Sequence, residues 1–170
     1  SVMQMVVMPV QGITQGTQPI MSYNFGAKNF QRVRQVFKRL LTVTMTVTIT
    51  AFIIVSLFPG QLAQIFNDDQ ELVALVDRVM PVFFAGIWAF GAQMACQTTF
   101  MALGQAKTSL FLALLRKVIL LVPLAILLPR ITNSVMGVYI AEPVADILAS
   151  ATTLTIFLTR RKKLLPTPKD

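Results

Sequence analysis

A chain of 170 residues in which 55% of side chains are hydrophobic and only 13% are charged is too poor in charge for a soluble domain, where about a quarter is usual. Its net charge of +8 does not indicate nucleic acid as a partner, because the cations sit at the ends of apolar runs and not on a polar, water-exposed face. With no His and a single Cys placed inside an apolar run, an internal disulfide is excluded, zinc and thiol–imidazole chemistry have no support, and no cofactor is expected.

The chain opens with Ser1 in the middle of hydrophobic sequence, without the charged segment and short apolar core of a signal peptide. An N-terminal part is therefore expected to be missing. Residues 1–23 carry no charge and form a first span of about bilayer length. Pro9 and Pro19 should kink it, either for packing or to turn backbone carbonyls toward a cavity. Residues 26–39 follow as a linker bearing Lys28, Arg32, Arg34, Lys38 and Arg39 between two apolar segments, the placement that keeps a loop cytoplasmic. Phe30, Val33, Phe37 and Leu40 recur at helical spacing, which predicts an amphipathic helix lying in the headgroup layer.

Span two is 40–58. Its Thr residues at 42, 44, 46, 48 and 50 alternate with a strand-like period. A lone strand would leave backbone groups unpaired in lipid, so a helix is expected, with the hydroxyls bonding back one turn and serving helix packing. Pro59 and Gly60 end it. In the external segment beyond, Asp68, Asp69 and Glu71 suggest a helix start, with Asp68 and Glu71 at capping-box spacing, and not a divalent-metal cluster. The helix opening near Leu72 becomes span three, 79–103, in which Gln93 and Gln97 lie one turn apart on one face. Such amides either tie helices together or line a wet pathway. Phe83, Phe84, Trp88 and Phe90 read as packing or lipid-facing residues. A tight turn at 104–107 leads to span four, 108–129, an external link leads to span five, 136–159, and a basic tail occupies 160–170. Lys28, Arg32, Arg34, Lys38, Arg39, Lys107, Arg160, Arg161, Lys162, Lys163 and Lys169 fall on one side, against Arg78 and Arg130 on the other. That asymmetry places the C-terminus in the cytoplasm. The fold class expected is all-α, a polytopic membrane helical bundle of about five transmembrane helices forming a single membrane domain.

Arg116, Lys117, Glu142 and Asp146 are the chemically informative residues, since an ionisable group at mid-membrane costs roughly 2.5–3.5 kcal/mol on insertion scales. Counted at 1.5 Å per residue from opposite faces, Arg116 and Asp146 reach about the same depth in a hydrocarbon layer about 30 Å thick. This predicts an ion pair of Arg116 or Lys117 with Asp146 between antiparallel spans. Alternatively, Glu142 and Asp146, one turn apart, exchange protons with a cavity. An enzyme is not expected, because nothing supplies a group to position a substrate or hold an oxyanion.

QGTQPIMSYNFGAKNFQRVRQ, TTFMALGQAKTSLFLALLRK, VPLAILLP and GVYIAEPVADILASA together resemble the C-terminal lobe of multidrug and toxic compound extrusion (MATE) transporters. The first stretch, with Gln18, Pro19, Ser22, Asn24 and Gly26, is the most specific. The resemblance implies twelve helices in two six-helix lobes, of which this chain would supply the end of helix eight through helix twelve, most of one lobe. It implies a multi-pass protein of the cell (inner) membrane that exports small organic cations or drugs against H+ or Na+ by alternating access, with an N-terminal lobe as partner. Family members carry coupling acids in that lobe or in helix ten. Here span three offers only Gln93 and Gln97, so coupling would rest on the missing half or on Glu142 and Asp146. The alternatives are a flippase for lipid-linked saccharides from the same superfamily, or a non-transporting truncated subunit.

Overall fold

The computed structural model describes residues 2–166, all of whose regular elements are helical. They are α1 (Val2–Gly26), α2 (Phe30–Leu57), α3 (Pro59–Gln64), α4 (Gln70–Phe83), α5 (Ile87–Ala102), α6 (Ala106–Leu114), a π-helical segment (Leu115–Leu121), α7 (Val122–Thr132) and α8 (Met136–Leu164). Ser1 of the first span and the end of the basic tail, with Lys169, lie outside the described residues.

The bundle is built around α5. It packs against α1, α2 and α8, and nearly every residue from Ile87 to Ala102 is buried except Trp88, Met94, Gln97 and Met101. Close approach of α2 is possible because Gly91 presents no side chain. A Cβ there would stand 2.5 Å from Thr48 Oγ1 and 2.9 Å from Thr44 O. Thr44 and Thr48 are buried and donate to the carbonyls of Leu40 and Thr44, whereas Thr42 and Thr46 make the same bonds on the exposed face. The alternating threonines therefore split between a packing face and an outer face of one helix, with each hydroxyl satisfied locally.

The segment 26–39 does not form a separate helix. α1 runs on to Gly26, Lys28 turns the chain at φ 58°, and Asn29 caps α2 by accepting from Arg32 N–H at 3.3 Å. From there one helix of 28 residues includes both the cationic segment and the apolar run. Nothing between Arg39 and Leu40 breaks it, because neither Gly nor Pro occurs there and apolar residues persist on the inner face through Val33 and Leu40.

The expected span three is also different. Helix α4 stops at Phe83 and α5 restarts at Ile87, bent by 52°. Pro81 lacks an N–H donor, and Gly86 sits in the break, where an added Cβ would be 2.7 Å from Pro143 Cα and 3.0 Å from Asp146 Cβ of α8. The helix leading in begins at Gln70, and its N-cap is Asp69, accepting from Glu71 N–H at 3.0 Å. Asp68 does not fill that position, because Asn67 Oδ1 accepts from Asp69 N–H and sets the turn one residue later.

Three helical stretches, α2, Ala106–Thr132 and α8, are long and apolar enough to cross a membrane, and the bent pair α4–α5 makes four. The fifth expected span, α1, has the length at 25 residues but is made less apolar by Gln4, Gln11, Gln15, Gln18 and Asn24. The cationic ends meet: Arg34 donates to the carbonyls of Leu165 and Pro166, and Arg160 donates to Thr108 Oγ1 at 3.0 Å.

Candidate functional site

Arg116 enters the bundle from the π-helical segment of the long helix 106–132. A π turn closes its hydrogen bonds one residue later than an α turn and changes which side chains face inward. Pro123 supplies a local reason, since it has no N–H for the preceding turn and its ring crowds the carbonyl four residues back. Opposite, α8 presents Glu142 and Asp146 one turn apart on its buried face.

One guanidinium holds both acids. Its Nε donates to Asp146 Oδ1 at 2.6 Å, and its Nη2 lies 2.5 Å from that oxygen and 3.0 Å from Glu142 Oε1. The guanidinium carbon also stands 4.8 Å from the centre of the Phe90 ring, within cation–π range. All three charged residues are buried, Asp146 to 1% exposure. A single cation between two carboxylates leaves one negative charge over. One proton or one monovalent cation would neutralise the set. The second oxygen of each carboxylate makes no hydrogen bond among the described residues, so it is free to take one up.

Lys117 stands apart. It is exposed and makes no ion pair among the described residues. Gln93 and Gln97 line, with Gln11 of α1, Arg116 and Lys117, a cavity of about 270 Å³ walled by Met3, Val7, Phe90 and Met94. Gln93 is 1% exposed and its Oε1 has no hydrogen-bond partner, an arrangement that costs about 1–3 kcal/mol unless something fills it. A second, apolar recess of about 590 Å³ lies between α3, α4 and the start of α1, lined among others by Phe66, Leu72, Val76, Phe83 and Tyr139, and Met3 borders both spaces.

The residues of the motif turn belong to the cationic end and not to this cluster. Ser22 Oγ donates to Ala102 O at 3.0 Å, tying the end of α1 to the end of α5. Asn24 Nδ2 donates to Ile20 O at 2.8 Å, and its carbonyl accepts from Asn29 N–H at 2.8 Å. Gln18 is half-buried, Pro19 and Gly26 are exposed, and Gly26 ends α1. Three participants at the charged site were not singled out from sequence as such: Phe90 beneath the guanidinium, Gly86 against Asp146, and Gln11. The spacing of Phe90 to Gln93 and Gln97 at helical intervals was the available signal for the first.

The MatE family model matches residues 1–127. Multidrug export protein MepA of Staphylococcus aureus (strain N315) is 24% identical over 160 residues, 93% of this chain and 35% of its own length. Among solved structures, the MATE multidrug transporter DinF-BH, in complex with a rhodamine dye, superposes with a TM-score of 0.87 at 34% identity, over 96% of this chain and 36% of that one. A MATE protein solved in the straight conformation gives 0.90 at 17% identity, over 98% of this chain and 37% of that one. The chain thus spans about a third of the length of the relatives it matches. Matched over residues 1–127 by the family model and built as the same helical membrane bundle, the chain belongs to the MatE family of multi-pass membrane transporters.

Proposed function

We propose that this chain is most of the second lobe of an exporter of organic cations and drugs, driven by H+ or Na+ and working by alternating access, with Arg116, Glu142 and Asp146 as the coupling group. The observation that carries the coupling role is the sharing of one buried guanidinium by two carboxylates. Such a set carries one surplus negative charge, so it gains more from binding a single cation than a neutral pair would. It sits where α8, the π-helical segment and the break between α4 and α5 meet, three places where backbone geometry can shift between two packings.

The lobe would lie in the cell (inner) membrane with the cationic ends of α2, α6 and α8 in the cytoplasm and would face a first lobe across the substrate path. MepA is named a multidrug export protein and DinF-BH is solved with a rhodamine dye, which makes that dye the suitable probe here. The test uses the intact protein in inside-out proteoliposomes. An acid-inside or sodium-inside gradient should drive dye accumulation that collapses with the gradient. Uptake indifferent to both gradients would remove coupled transport and favour a non-transporting subunit.

A further inference from the structure

We infer that the cavity between α1, α5 and the π-helical segment binds the head of a hydroxylated anionic amphiphile: an oxyanion with a neighbouring O–H, attached to an apolar body. Four features of the site combine to select that chemistry. Lys117 borders the cavity and has no acidic partner among the described residues, while Arg116 beside it is already held by Glu142 and Asp146. The free positive charge in the cavity therefore suits an anion and opposes a simple organic cation. Gln93 adds an acceptor oxygen buried without a donor, which a ligand O–H would satisfy. Gln11 and Gln97 bring further amides to the same wall, able to donate to an oxyanion.

The cavity, at about 270 Å³, is smaller than the roughly 300 Å³ at which sites for whole drug-sized ligands begin. It fits a head group. The body has its own place: the apolar recess of about 590 Å³ meets the cavity at Met3, so one molecule can lay a tail along Phe83, Val76 and Leu72 and its head against Lys117. That pose puts the head at the depth of Arg116 and the tail toward the end of the bundle bearing Asp69 and Glu71. A resident bilayer lipid has the opposite arrangement, head at the surface and tail at depth. The occupant is accordingly a free amphiphile. This inference concerns equilibrium binding and goes beyond the export of cations proposed above, on which it does not depend.

The test is calorimetric titration of the intact protein in detergent with 3-hydroxydecanoate, its methyl ester and decanoate. The hydroxy acid should bind about tenfold or more tighter than its ester, as expected for a charge-assisted hydrogen bond, and several-fold tighter than decanoate. Lys117→Gln should abolish the preference for acid over ester. Gln93→Leu should abolish the preference for the hydroxyl and keep the preference for the acid. Equal affinities for the three compounds in the unaltered protein would overturn the proposal, and that comparison needs no variant to fold. Retention of the acid preference in Lys117→Gln would overturn it as well. In a parallel titration, dioctanoyl phosphatidylglycerol binding tighter than 3-hydroxydecanoate would overturn the assignment to a free amphiphile, and weaker binding supports it.

Discussion

Removing Arg116 should damage this protein far more than removing either of its acidic partners. In Arg116→Met, Glu142 and Asp146 remain at 7% and 1% exposure with no cation against them, and two uncompensated negative charges stay one turn apart. Breaking a buried ion pair from one side costs about 3–5 kcal/mol, a large share of the roughly 5–15 kcal/mol by which a domain is stable. Asp146→Asn is milder, because Arg116 keeps its 3.0 Å contact with Glu142 and the pair left behind is neutral. Glu142→Gln is milder still, since it spares both contacts of the guanidinium with Asp146, at 2.5 and 2.6 Å. The expected order of destabilisation is Arg116→Met, then Asp146→Asn, then Glu142→Gln. Melting of the intact protein in detergent, followed by the loss of its size-exclusion peak, reads that order directly. The exchanged double variant Arg116→Asp with Asp146→Arg keeps the net charge and should recover much of the loss. An Arg116→Met protein that melts no lower than Glu142→Gln would refute the reasoning that the guanidinium holds both acids.

Three further outcomes follow from close contacts. Gly91→Ala should cost about 1–3 kcal/mol by overpacking, because its Cβ would meet Thr48 Oγ1 at 2.5 Å and the Thr44 carbonyl at 2.9 Å, whereas Gly12→Ala, with nothing within 4 Å, should be neutral or stabilising in the same melting assay. Gly86→Ala should lower both stability and gradient-driven dye uptake, since the new Cβ would strike Pro143 O at 2.8 Å and Asp146 Cβ at 3.0 Å; unchanged uptake would detach that break from the charged group. Asn133 ends α7 at φ 50°, so Asn133→Val should lose about 1–2 kcal/mol while Asn133→Gly stays within a few tenths, again by melting.

The contact of Arg116 with Asp146 was legible in the sequence because depth in a membrane is a one-dimensional count. Helical rise from two ends fixes where two side chains can meet, whatever the details of packing. Glu142 joined them by the same logic, being one turn from Asp146 on one face. The helical state of the threonine-rich run was legible for an equally general reason, the absence of water to satisfy a strand. What escaped were features decided by a single tertiary contact. The break at 84–86 depends on how closely α8 approaches Gly86, and a run of apolar residues around Pro81 contains no trace of that approach. The continuity of α2 escaped for the opposite reason: a change from cationic to apolar composition at Leu40 looks like a boundary, yet backbone hydrogen bonding is indifferent to it.

The π-helical segment joins these scales. Ser109, Leu112 and Arg116 are buried at ordinary α spacing, and a continuing α helix would turn the neighbourhood of Pro123 and Leu127 inward next. Both of those are exposed, and the half-buried positions are instead Leu120, Leu121, Leu124, Ala125, Leu128 and Pro129, about one residue late. That is the displacement a stretch of wider turns produces. Without it, either Arg116 would face α8 and the second half of the helix would miss its packing against α8, or the reverse. Because Lys117 follows Arg116 immediately, turning one inward leaves the other exposed at the border of the cavity. The same backbone irregularity therefore commits one cation to the two buried acids and leaves its neighbour available to a ligand.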